Sequence, residues 1–329
     1  LPRELWGERL ALLKAAGMNT VAVTAPWAHH QPTPDPPDFR DLAALLDLCA
    51  QEGLWVQLNL GPYAGDTWEA GGVPGWMLAR RTAVSEQEAV AAWYRALLPL
   101  AKERQLAAGG PIVAVVVRPL PDAAGAVAPS AIHELIGQVQ AAGVGALLLT
   151  ANAPVARDNT RQSLANLLDT LALYRPVGAA ELMAGLRALA REENGPAVLS
   201  AIPAAAEGAS EARARAALVK AALGAGVAGV VVADFAPGLS PSAPRRPDQF
   251  AAPAVIDPAG VVGASYGELW LVGGFLRQFG SELARATAAE GVVKADDPEV
   301  QVAVRLAERH RIVLEGDANT PTDLQLRMP

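Results

Sequence analysis

Asp66 and Glu69 stand on either side of Trp68 in the stretch Gly65-Asp66-Thr67-Trp68-Glu69. Carboxylates this close together can exchange a proton with a ligand or hydrogen-bond its hydroxyls. The plainer reading is a pair of solvated loop charges. Asp234 ends the run Val230-Val231-Val232-Ala233. A carboxylate at a strand end suits a ligand site, and otherwise it caps a loop or pairs with an arginine such as Arg245. Glu207 and Glu211 follow a second apolar run that stops at Ile202. Trp27, Tyr63, Trp68 and Trp76 offer flat rings on which a ligand can stack, or they pack beneath the loops. His29 and His30 are adjacent. On an extended segment they point to opposite sides, and no third ligand accompanies them, so no metal site is expected.

Other chemistries lack their residues. The single cysteine, Cys49, excludes a disulfide within the chain and a cysteine-based metal centre. It lies in the helix-like run DLAALLDLCAQEG and reads as a small buried hydrophobe. No G-x-G-x-x-G loop follows an apolar run and no G-x-S-x-G elbow is present, so neither a nucleotide cofactor nor a serine nucleophile is expected. A net charge of −7 with no basic aromatic stripe argues against nucleic acid as partner. No uninterrupted apolar run reaches the ~18 residues that suggest a membrane span, and no secretion leader is read. A soluble chain, cytoplasmic or secreted, is expected. Hydrophobic residues make up 51% of the 329, enough for a sizeable core.

The elements that must position these groups alternate. Apolar runs near 20–25, 54–59, 112–117, 145–151, 171–175, 196–202 and 227–234 read as strands. Between them ELWGERLALLKAAG, FRDLAALLDLCAQEG, the run 85–105, PSAIHELIGQVQAAG, RQSLANLLDTLALY, ELMAGLRALAREENG and EARARAALVKAALGAG read as helices. YGELWLVGGFLRQFGSELARA closes the series as another helix. Such alternation implies parallel strands wrapped by helices. Eight strands close a barrel, and the chain opens on a helix, so the expected fold is a (β/α)8 TIM-type barrel over residues 1–285 with its first strand missing from this chain. An open doubly wound sheet is the alternative. Residues 286–329 are expected to hold a linker, ATAAEGVVKADDPE, and a short β-rich segment.

Two stretches carry a family resemblance. LPRELWGERLALLKAAGMNTVAVTAPWAHHQP and GLWVQLNLGPYAGDTWEAGGVPGWML resemble the opening of the glycoside hydrolase family 35 barrel, the β-galactosidase type. Its marks here are Gly61, Pro62, Tyr63, Trp68, Gly71, Gly72, Pro74 and Trp76, and GGPIVAVVV resembles the strand that follows. The resemblance implies a retaining mechanism with two carboxylates about 5 Å apart, one donating a proton and one attacking the anomeric carbon. Carried over, the pattern Gln-x-Glu-Asn-Glu-Tyr-Gly puts Val116 at the glutamine and Arg118, Pro119, Leu120 and Pro121 at the Glu-Asn-Glu-Tyr positions. The acid/base position is therefore Leu120. The nucleophile position falls near Ala201, and the family's sugar-binding glutamate on Thr67. Asn59-Leu60 replaces the usual arginine before Gly-Pro-Tyr, and Ala28 and Gln31 replace an Asn and a Glu.

The resemblance thus implies a carbohydrate-associated barrel with lost or strongly reduced glycosidase activity. Tyr63, Trp68, Thr67, Trp27, His30 and Asn59 are the expected contacts to a β-galactoside-like glycan. One rival is an active hydrolase with relocated carboxylates drawn from Asp66, Glu69, Asp234 and Glu207; Asp122 is a remoter choice. Another is a structural, non-catalytic barrel subunit. If the first strand is absent, the open edge calls for a cover, by a homo-oligomer or by residues encoded upstream.

Overall fold

The computed structural model describes residues 2–65, 68–79, 85–121, 127–151, 167–172, 198–202, 209–232, 235–236, 254–257, 259–289, 301–307, 311–316 and 326–327. In chain order the elements are α1 (Trp6–Ala15), β1 (Thr20–Thr24), α2 (Trp27–His30), α3 (Arg40–Gln51), β2 (Trp55–Pro62), α4 (Gly75–Leu78), α5 (Glu86–Glu103), β3 (Ile112–Arg118), α6 (Pro129–Ala141), β4 (Leu147–Ala151), β5 (Leu167–Ala172), β6 (Val198–Ile202), α7 (Ala209–Ala225), β7 (Gly229–Val232), α8 (Ala264–Arg285), β8 (Thr287–Ala289), β9 (Gln301–Leu306), β10 (Arg311–Gly316) and β11 (Leu326–Arg327). The first seven strands form one sheet in chain order, β1 to β7. Its pairs β1/β2, β2/β3, β3/β4, β5/β6 and β6/β7 are parallel. A parallel sheet in sequential order with helical crossovers is the α/β barrel pattern expected from the alternation. Among the described residues no helix is long and apolar enough to cross a membrane.

The chain divides into two compact units. The first comprises Leu1–Ala11, Asn19–Asp169 and Leu239–Ala251. Here β3 is buried almost without a break, as a strand covered on both faces must be. Helix α3 turns Leu42, Leu46 and Cys49 inward, at i, i+4 and i+7. Helix α5 buries Trp93, Tyr94, Leu97, Leu98 and Ala101, and it starts on a capping box in which Ser85 and Glu88 satisfy each other's backbone N–H. Helix α6 adds Ile132, Leu135, Ile136 and Val139. Below the strands, the buried Gln105 side chain donates to the Gly143 carbonyl and accepts from Gly145 N, at 3.2 and 2.6 Å.

The second unit comprises Leu12–Met18, Thr170–Gly238 and Ala252–Pro329. Its core is built of small and branched side chains, among them Ala216, Val219, Ala222, Val255, Ile256, Leu269 and Val272. Helix α8 lies directly on the end of α1. A Cβ added to Gly273 would stand 2.1 Å from the Ala16 carbonyl oxygen. Tyr266 Oη donates to the Leu12 carbonyl at 2.8 Å. The last four strands form an antiparallel sheet in the order β11-β10-β9-β8.

Three local expectations change. The run 161–174 was expected to be helical up to a short strand, yet Leu167–Ala172 is strand β5. LLDTLA is two apolar pairs around one polar pair, and so short a pattern fits either period. Residues Thr287–Ala289 of the expected linker form β8 and pair antiparallel with β9. His29 and His30 sit on the helical turn α2 rather than on extended chain, and their ring centroids are 5.0 Å apart. The helix expected over 181–195 lies outside the described residues.

Candidate functional site

In barrels of this type the working groups project from the C-terminal ends of the strands. Three strand ends of the first unit, those of β1, β2 and β3, run on into described residues. After β1 the chain turns at Pro26 into α2. Trp27 is completely buried, and its Nε1 donates to Gln31 Oε1 at 2.6 Å. The rings of Trp76 and Trp93 each lie 5.8 Å from it, centroid to centroid. Trp76 Nε1 donates to the Gln31 carbonyl at 2.9 Å. His30 is 6% exposed and packs against Phe39. Its Nδ1 lies 2.9 Å from the Asp38 carbonyl oxygen, which only accepts, so Nδ1 carries the proton. Burial pulls the His30 pKa down to about 4. His30 is therefore a neutral packing residue at ordinary pH.

The end of β2 is held from behind by α5. Trp93 Nε1 donates to the Leu60 carbonyl at 2.8 Å, and Tyr94 Oη donates to the next carbonyl, Gly61, at 2.6 Å. Both side chains are buried, and burial raises the Tyr94 pKa, keeping its phenol neutral and donating. Asn59, also buried, accepts from Gly61 N through Oδ1 at 3.1 Å. The Gly61–Pro62 peptide is cis. Beyond it, Tyr63 N donates to the Arg118 carbonyl at 3.1 Å, so the ends of β2 and β3 remain joined. Ala64 N donates to the Gly71 carbonyl at 2.7 Å, which closes the following loop. Inside that loop Ala70, Gly71 and Gly72 all have positive φ. A Cβ on Gly71 would fall 2.1 Å from the Tyr63 ring, so the glycine is what lets that ring approach the loop backbone.

The end of β3 carries Arg118, half-buried, with Cζ 5.8 Å from the centroid of the Tyr63 ring. Its Nη1 would be 3.0 Å from a Cβ on Gly65. The guanidinium thus fills the space that a side chain at Gly65 would take. Pro119 is buried; Leu120 and Pro121 are half-buried.

Tyr63, Asn59 and Trp68 stand at or just beyond the end of β2, with Trp68 half-buried. Trp27 and His30 face inward and form the packing beneath that end. Glu69 is exposed on a short 3-10 turn. Ala201 lies in β6, and Glu211 near the start of α7. Asp66, Thr67, Asp122, Glu207 and Asp234 lie outside the described residues. Among the described residues no three His, Cys, Asp or Glu gather as a metal centre would require. The sequence reading missed the Trp93–Tyr94 anchor. Their place on the apolar face of α5 was visible, but two adjacent aromatics with polar tips were the only hint that the pair also binds backbone.

Residues 1–119 match the model of the family "Glycosyl hydrolases family 35". Mouse beta-galactosidase is 36% identical over 126 residues, which cover 36% of this chain and 20% of that protein. Human beta-galactosidase-1-like protein 3 is 39% identical over 126 residues, covering 36% of this chain and 19% of that protein. The chain spans about one fifth of the length of these curated relatives. Among solved structures, a GH5_18 protein from Streptomyces cattleya in complex with GlcNAc aligns over 90% of this chain and 77% of its own, with a TM-score of 0.62 and 19% identity. Beta-galactosidase from the psychrophilic Marinomonas ef1 aligns over 87% of this chain and 60% of its own, with a TM-score of 0.63 and 12% identity. At those identities the structures speak for the barrel fold alone, whereas the sequence match reaches the residues around Gly61-Pro62-Tyr63 and the end of β3. Through this N-terminal third, the chain is similar to glycosyl hydrolases family 35.

Proposed function

We propose that the protein is a carbohydrate-binding barrel of the β-galactosidase type whose glycosidase activity is lost or strongly reduced. The observation that carries this reading is the end of β3, Arg118-Pro119-Leu120-Pro121. The family pattern puts the acid/base group at Leu120, and an alkyl side chain cannot move a proton. Retaining hydrolysis needs a second carboxylate about 5 Å from the first, and the family pattern puts it near Ala201. The stacking surface is better preserved. Tyr63 and Trp68 are half-buried at the rim, and Asn59, Trp93 and Tyr94 fix the backbone that presents them. In this reading Tyr63, Trp68 and Thr67 touch the sugar, while Trp27, His30 and Asn59 support them from below.

The test is hydrolysis of a panel of aryl α- and β-glycosides by the folded protein at several pH values, with glycan binding measured in parallel. Binding without turnover is the expected result. Turnover abolished by Glu69→Gln or Asp234→Asn would sink the reading and establish an active hydrolase with relocated carboxylates. A folded protein that neither binds nor cleaves any sugar would leave a structural barrel subunit.

A further inference from the structure

We infer that the strand-end site selects glycans bearing an anionic group, a uronic-acid carboxylate or a sulfate ester, and that Arg118 is the residue that selects them. This rests on the proposal that the site binds carbohydrate. The cation is placed before any ligand arrives. Its guanidinium lies over the Tyr63 ring, Cζ to centroid 5.8 Å, and against Gly65, and its own carbonyl receives Tyr63 N. A guanidinium stacked on an aromatic face keeps its edge N–H groups for in-plane partners. It has five donors, so it can keep a partner within the protein and still offer a fork to a carboxylate or sulfate. The same ring and the half-buried Trp68 supply the apolar faces on which a sugar lies. Ring and fork together are what recognition of an acidic sugar requires.

The charge also fits the proposed loss of hydrolysis. Glycoside cleavage gathers positive charge on the sugar ring in its transition state. A fixed cation at a strand end opposes that charge, while it attracts an anion in the ground state. The arrangement favours holding an acidic sugar over cleaving a neutral one.

The experiment is calorimetric titration of the full chain with methyl β-galactoside, galacturonic acid, galactose 6-sulfate and sodium sulfate, at low and moderate salt. Binding of at least one acidic sugar ~10-fold or more tighter than methyl β-galactoside is expected, as one charge-assisted fork supplies. The preference should weaken with salt, vanish in Arg118→Gln and survive in part in Arg118→Lys. Equal binding of acidic and neutral sugars, or a preference unchanged in Arg118→Gln, overturns the inference and leaves carbohydrate binding standing. Sulfate alone binding as tightly as the sulfated sugar overturns it as well, since the site would then read a bare anion. No binding of any sugar defeats both readings. Should Arg118→Gln fail to fold, the unaltered protein decides: a preference for acidic sugars that salt does not weaken counts against Arg118.

Discussion

Gly267→Ala and Gly273→Ala add the same methyl group to the same helix, and they should shift stability in opposite directions. Both glycines lie inside α8. In a helix interior alanine is favoured over glycine by about 0.5–1 kcal/mol, because glycine loses more backbone freedom on folding. At Gly267 nothing lies within 4 Å of the added Cβ, so that gain is kept. At Gly273 the Cβ would stand 2.1 Å from the Ala16 carbonyl oxygen and 2.8 Å from Gly17 Cα. These are backbone atoms with no rotamer to move aside, and ordinary carbon contacts need about 3.5 Å. The two backbones must part by roughly 1 Å. That motion also stretches the bonds from Tyr266 to Leu12 and from Arg277 to the carbonyls of Lys14 and Ala15. Overpacking costs about 1–3 kcal/mol, and the upper end applies where only backbone can yield. After the propensity gain, Gly273→Ala should be destabilised by about 2 kcal/mol, which separates the two variants by about 3 kcal/mol. At about 2–4 °C per kcal/mol the melting temperatures should lie roughly 6–12 °C apart. Urea midpoints and thermal melts followed by circular dichroism measure this. A Gly273→Ala protein as stable as Gly267→Ala would refute the close approach of α8 to the end of α1.

Three further outcomes are expected. Tyr94→Phe removes only the hydroxyl that donates to the Gly61 carbonyl, leaving a buried acceptor unpaired, and should cost about 1–3 kcal/mol in urea denaturation; an unchanged midpoint would count against the anchor. His30 has its pKa lowered to about 4 in the folded chain by burial, against about 6.5 unfolded, so its neutral form stabilises the fold fully above pH 6.5 and that contribution is lost as pH falls toward 4. Denaturation midpoints across that window should drop, and the part of the drop due to His30 should be missing in His30→Gln; identical pH slopes in the two proteins would contradict it. Ser85→Ala opens the capping box at the start of α5 and should cost about 0.5–2 kcal/mol, whereas Ser85→Asp, which can still cap, should recover much of it.

The fold was legible where one physical signal dominated. Ile112–Val117 is apolar without interruption and lies between a Gly-Gly-Pro turn and Pro119, so it fits a buried parallel strand better than an amphipathic helix. Leu42, Leu46 and Cys49 share a helical stripe, and Gly53 with positive φ ends it. Where two periods fit equally, the reading failed. Leu167–Ala172 satisfies a helix face as well as a strand, and only its pairing with β6 decides. The turn at Trp27–His30 is too short to show any period, so nothing local said that Trp27 and His30 would face the core. The candidate site was legible as a list of aromatic side chains, but not as a geometry. Which rings line the rim and which support it depends on α5, some thirty residues further along the chain. Arg118 was legible only as the residue aligned with the first glutamate of the family pattern; its place over Tyr63 depends on Ala64 and Gly71 closing the loop between them.

The two consecutive carbonyls at the end of β2, Leu60 and Gly61, are gripped by two consecutive residues of one helix. Both bonds come from α5, and neither comes from Trp68 or Glu69. The stem of the loop is thus held by α5, and in the proposed reading a change at Trp68 or Glu69 would alter what meets a ligand while leaving that grip in place. Such a separation makes the rim cheap to mutate. A barrel built this way can exchange its rim groups one at a time and still fold.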